Sequence, residues 1–125
     1  MYNQHLGQFG EKIAKHYLEN KHYLFLEKNY RYQKGEVDLI CQDLSTNEMV
    51  FVEVKTRKNT YVNPLLSVNL KKQHLLMKVA NNFCVENNIS LDVRFDVLVI
   101  KIKNKLSLRV NHIDNAFSTH ALAYY

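Results

Sequence analysis

The chain is short of the residues that interrupt structure. Three glycines and one proline occur in 125 residues, which leaves little room for a linker or a low-complexity tail. No internal repeat is visible. No run approaches the ~18 apolar residues of a membrane-spanning helix, and Met1 to Gly10 holds no apolar segment of the secretory kind. The two cysteines, Cys41 and Cys84, stand far apart and form no C-x-x-C pair. The expectation is a cytoplasmic protein with two free thiols and no membrane partner. Familiar catalytic signatures are missing too. There is no Gly-x-x-x-x-Gly-Lys-Ser/Thr phosphate loop, no zinc spacing among the six histidines, and no Gly-x-Ser-x-Gly elbow. The usual hydrolase and nucleoside-triphosphatase readings lose ground accordingly.

What is present is an ordinary core and an excess of positive charge. Hydrophobic residues make up 46% of the chain, enough for one domain, drawn here as residues 1–117 with a tail at 118–125. The net charge is +5 and the isoelectric point near 9.2. Summed positive charge favours a polyanionic partner, although many small basic proteins bind nothing in particular.

Periodicity predicts the order αβββαββ, an α/β architecture with helices flanking a mixed sheet. The first helix spans Asn3 to Asn20, with Leu6, Phe9, Ile13 and Tyr17 on one face. Tyr23 to Tyr32 is extended, with Leu24, Leu26 and Tyr30 inward. Two alternating strands follow at Glu36–Gln42 and Glu48–Arg57, joined by a polar turn. The second helix ends near Asn87 and starts either at Asn63-Pro64 or with Asn69 as its N-cap; Val68, Leu75, Leu76, Val79 and Phe83 line one side. Asp92–Lys103 and Lys105–His112 close the sheet.

The two middle strands carry the chemistry. Gly35-Glu36-Val37-Asp38-Leu39-Ile40 and Phe51-Val52-Glu53-Val54-Lys55-Thr56-Arg57 alternate apolar and charged residues. One face belongs to a core and the other is reserved for Glu36, Asp38, Glu53 and Lys55. In one hairpin register Asp38 lies opposite Glu53, like charges that destabilise a sheet unless a cation sits between them. In another, Asp38 lies opposite Lys55 and makes an ordinary ion pair. Solvated faces with salt bridges are the plain alternative to a site.

The residue types suit Mg2+ or Mn2+. Magnesium takes oxygen ligands at roughly 2.0–2.1 Å and keeps several waters. Asp38 and Glu53 offer carboxylates, and Val54 offers a carbonyl. Lys55 would orient or activate a water and offset charge on a phosphate. Gly7 and Gly10, two glycines within one turn, suggest close backbone approach, and Glu11 would lean over the bare surface at Gly7 toward a metal or ligand; the alternative is a solvent glutamate. Lys72 falls within an apolar stripe and, with Lys71, in the first turn of a helix begun at Asn69. The helix dipole disfavours cations there, and a bound anion would resolve the conflict.

Together these residues resemble the YraN-like proteins, small bacterial members of the restriction-endonuclease-like, or PD-(D/E)XK, superfamily. Gly7-x-x-Gly10-Glu11-x-x-Ala14 resembles the opening helix. Asn29-x-Arg31-x-x-x-Gly35-Glu36-Val37-Asp38-Leu39-Ile40 and Phe51 to Arg57 resemble the two central motifs. Val68, Lys72-Gln73, Ala80, Arg94-Phe95-Asp96-Val97, His112-Ile113 and Asn115-Ala116-Phe117 follow in order. One departure is visible: the family usually shows Phe-Gly shortly after the Thr-Arg, where this chain has Tyr61-Val62-Asn63.

The resemblance implies a nuclease fold in which Asp38 and Glu53 hold a divalent metal and Lys55 assists phosphodiester hydrolysis. Archaeal junction resolvases of that fold also use a first-helix glutamate, matching Glu11. Arg31, Arg57, Lys71 and Lys72 are then the candidates for holding phosphates of nucleic acid, with DNA, branched or damaged, as the expected substrate. Glu36 ranks as a supporting acid. A symmetric junction would call for a homodimer. The competing expectation is a non-catalytic nucleic-acid-binding module that keeps the fold.

Overall fold

The alternating apolar runs of the chain's middle build a sheet that is covered on both sides. The computed structural model describes residues 2–58, 69–104 and 107–117, with side chains described from residue 6 onward. Its elements are α1 (Tyr2–Glu19), β1 (Tyr23–Tyr32), β2 (Gly35–Asp43), β3 (Glu48–Lys58), α2 (Leu70–Glu86), β4 (Val93–Asn104) and β5 (Ser107–Ile113). The five strands form one mixed sheet in chain order. β1–β2, β2–β3 and β4–β5 are antiparallel, whereas β3–β4 is parallel. A parallel pair needs a long crossover, and α2 lies in the connection that makes it.

Each helix owns one face. Leu76, Val79, Ala80 and Phe83 of α2 pack with Val37, Ile40, Met49, Phe51, Phe95 and Val97. Ala14 and Leu18 of α1 pack with Leu39, Cys41, Val50, Val52, Leu98 and Ile100. Phe51 and Phe95 are each at most 2% exposed, and burial of such a side chain contributes roughly 1.5–3 kcal/mol. The charged face of β2 and β3 is therefore roofed by α2 rather than solvated along its length. Cys41 and Cys84 are buried free thiols.

Two expectations change. The buried stripe of α1 is Gly10, Ala14 and Leu18, one step round from Leu6, Phe9, Ile13 and Tyr17; Phe9 is 48% exposed. Close approach explains it, because a Cβ at Gly10 would collide with Thr56 Oγ1, while one at Gly7 would meet nothing within 4 Å. Leu24 and Leu26 of β1 are exposed, and Tyr23 and Phe25 point inward instead. Tyr30 does pack inward, but on the α2 face, edge-on to Phe83 at 5.1 Å; a register shift lies between Phe25 and Glu27. Such a bulge is invisible to a period-two reading.

Asn69 is the N-cap of α2: its side chain accepts the Lys72 N–H, and the helix ends at Asn87. The alternative start at Asn63-Pro64 lies outside the described residues, as do Tyr61-Val62-Asn63, Val68, Lys105 and residues 118–125.

Candidate active site

The hairpin of β2 and β3 has the register that brings like charges together. Leu39 pairs with Val52, Ile40 with Phe51 and Asp43 with Glu48. The ladder then stops. One residue further on, Asp38 Oδ2 accepts the Val54 N–H at 2.7 Å, so a carboxylate takes the place of a backbone carbonyl and the strands fork. Glu53 and Lys55 alternate in phase with Phe51 and face α2. Gly35 lets β2 begin against that helix, since a Cβ there would sit 2.5 Å from Val79 Cγ2 and 3.1 Å from the Leu75 carbonyl.

Two ammonium groups converge on one oxygen. Glu53 Oε1 accepts from Lys55 Nζ at 3.1 Å and from Lys72 Nζ at 2.9 Å. The Glu53 side chain is only 11% exposed. Lys72 stands in the first turn of α2, a turn with no acidic residue. Its conflict with the helix dipole is relieved by Glu53, an anion from the sheet. A cleft of about 320 Å³ opens here, walled by Lys34, Glu36, Asp38, Glu53 and Lys72.

The electrostatics are strained. Burial, and next the charge of Glu53, push the Asp38 carboxyl from 3.8 up to about 7, against the opposing Val54 hydrogen bond. Burial lowers Lys55, helped by the neighbouring Lys72 charge and opposed by Glu53. Burial alone would lower Lys72 too, but the bond to Glu53, the charge of Glu53 and that of Asp38 together raise it. Glu11 is raised by burial, with Asn29 opposing and the charges of Glu36 and Glu53 adding to the rise. That places α1's glutamate within the field of the cleft.

The structure thus brings Asp38, Glu53, Lys55 and Lys72 together, with Glu11 nearby. Arg31 pairs with Glu36 at 3.0 Å on the surface, so it reaches the cleft through that acid. Arg57 donates to the carbonyl of Thr56 at 2.9 Å, and Lys71 faces solvent. Among the described residues no group of three His, Cys, Asp or Glu lies close enough to hold a metal. The candidate donors are the carboxylates of Asp38 and Glu53 and the carbonyl of Val54; the N–H of Val54 is bonded to Asp38. Lys34 was not singled out by sequence; its only signal is its place just before Gly35.

Sequence reasoning also gave no role to a second polar cluster, on the α1 face. Arg94 and Asp96 share that face of β4 with Leu98 and Ile100. Arg94 donates to both Asp96 oxygens at 2.9 and 3.0 Å, to Asp43 at 2.9 Å, to Glu48 at 3.0 Å and to Tyr23 Oη at 2.6 Å. Asp96, whose side chain is 0% exposed, also meets His112 Nε2 at 2.7 Å and the Asn115 N–H at 3.0 Å.

The family model described as "Uncharacterised protein family UPF0102" matches residues 10–100, the span from Gly10 through β2, β3 and α2 into β4. The chain belongs to UPF0102. A UPF0102 protein of Clostridioides difficile is 42% identical over 119 residues, covering 94% of this chain and all of its own. UPF0102 proteins of Caldanaerobacter subterraneus subsp. tengcongensis and Christiangramia forsetii are 44% and 42% identical, each covering 90% of this chain and 93% and 92% of their own. The UPF0102 match contains Glu11, Asp38, Glu53, Lys55 and Lys72.

Proposed function

We propose that this UPF0102 protein is a metal-dependent nuclease of restriction-endonuclease-like fold, hydrolysing phosphodiester bonds in nucleic acid, with DNA as substrate. The observation that carries the reading is the meeting of Asp38, Glu53 and Lys55 at the fork of β2 and β3, beside an open cleft rimmed by Lys34 and Lys72. The order αβββαββ and the net charge of +5 support it.

The donor set fits a hard divalent cation. Asp38 is held near neutrality in part because Glu53 lies beside it, and a cation between the two would remove that cost. Two carboxylates suffice for Mg2+ or Mn2+, since magnesium keeps several waters. Such an ion, when bound, polarises a phosphate oxygen and makes a bound water more acidic. The chain does the rest. Lys55 Nζ, with its proton loosened by burial, positions the attacking water and offsets charge on the pentavalent phosphate. Lys72 and Lys34 hold the backbone in the cleft, and Glu11 adds negative charge behind the carboxylates.

The test is cleavage of labelled linear, branched and damaged DNA in Mg2+ or Mn2+ by the wild type, Glu53→Gln and Lys55→Ala, with folding checked by circular dichroism. Each substitution should lower the rate by at least ~10²-fold. Equal cleavage by the variants would sink the assignment. A binding module without catalysis is the second reading, favoured by one observation: two lysines already satisfy Glu53 Oε1 without a cation. It predicts DNA binding that persists in EDTA, falls steeply with salt and is accompanied by no cleavage.

A further inference from the structure

A lysine at the third position of a helix is out of place. Acids favour the first turn, and glutamate is the usual partner of an N-cap side chain at that position. Asn69 nonetheless caps Lys72 in α2. The side chain leaves the helix to bond Glu53 Oε1 at 2.9 Å, 0.2 Å closer than Lys55 Nζ at 3.1 Å. Lys55 already donates to the same oxygen. Lys72 is a second ammonium on it, 33% exposed on the side chain and lining the cleft. Lys55, by contrast, is 14% exposed. Of the two ammonium groups, Lys72 is the more open to a phosphate in the cleft.

We propose that Lys72 is a latch, resting on the nuclease reading above. In the free protein its ammonium occupies the face of Glu53 that a divalent cation needs. A phosphate of the nucleic acid draws Lys72 off Glu53, and the exposed carboxylate takes up the cation. Metal and nucleic acid therefore load together, each tightening the other by the same factor, as linkage requires. The latch keeps the carboxylates from holding a cation before a substrate arrives.

The test is calorimetric and does not read activity. Mn2+ is titrated into the wild type, Lys72→Met and Lys72→Gln, with and without a DNA oligonucleotide carrying phosphorothioate linkages. Melting curves confirm the fold of each; the methionine keeps the apolar stem of the lysine. Without DNA, both variants should bind Mn2+ at least tenfold more tightly than the wild type. Adding DNA should tighten Mn2+ binding by the wild type and leave the variants nearly unchanged. Unchanged or weaker Mn2+ binding by the variants, or a wild type indifferent to DNA, overturns the latch and leaves the nuclease reading standing. No Mn2+ binding by any of the proteins in either condition overturns both.

Discussion

The two polar clusters sit on opposite faces of one sheet and each pairs carboxylates with cationic side chains, yet they are in opposite electrostatic states. Under α1, Arg94 spends all three guanidinium nitrogens on four partners, and the fully buried Asp96 is met from three directions. Burial pushes Asp96 upward, but its bonds to His112 and Arg94 hold it below the usual carboxylate range. Asp43 is held low in the same way, chiefly by Arg94 against burial. Under α2, two lysines crowd one oxygen, Asp38 is pushed up to about 7 and Lys55 is pulled down. A satisfied cluster is a fastener. A cluster left unsettled beside an opening has work left for a ligand.

The comparison breaks most visibly at Arg94. Arg94→Met strands Asp96 and Asp43 in the interior and should cost about 3–5 kcal/mol in urea unfolding at pH 7. A loss under ~1 kcal/mol would mean the network is ornamental.

The pH dependence should run in opposite directions for the two faces. Asp38 has its folded pKa raised from 3.8 to about 7. Its contribution is complete below the unfolded value and is lost as pH rises through 7. Asp38→Asn should therefore gain stability relative to wild type at pH 8, on the order of 2 kcal/mol, and show no such gain at pH 4. Asp43 and Asp96 are lowered, so their contribution is present above pH 4 and lost on acidification. Acid lability should accordingly shrink in Arg94→Met. Parallel melting profiles of Asp38→Asn and wild type across pH 4–8 would falsify the assignment of the strained carboxyl.

Smaller effects grade the fastener and the rim. Tyr23→Phe removes one acceptor from Arg94 and should cost about 1 kcal/mol in the same unfolding experiment. Arg31→Ala breaks only an exposed pair with Glu36 and should stay within ~0.5 kcal/mol. A loss equal to that of Tyr23→Phe would show that the rim is structural after all.

The sequence reached further into the strained cluster than into the settled one. Alternation exposed Asp38, Glu53 and Lys55, and the misplaced cation pointed to Lys72, because both break a local rule. In the structure Lys72 meets an anion of the chain itself, Glu53. Arg94-x-Asp96 also places two charges on one strand face, but its partners Asp43, Tyr23 and His112 come from three other strands, and no local pattern brings them together. The α1 stripe was misread for a similar reason: glycine and alanine carry no hydrophobic signal, and the approach at Thr56 selects them. Leu24 and Leu26 stand on the edge strand of the sheet and stay exposed, which alternation does not foresee.

The hydrogen bond from Val54 to Asp38 has a practical consequence. An amide proton shared with a titrating carboxylate is a spectroscopic reporter. Its chemical shift should move downfield as Asp38 ionises, with a midpoint near 7, and respond again when a ligand settles at the fork. One backbone resonance would thus follow protonation and occupancy of the cleft in solution, with no label beyond 15N and no substrate.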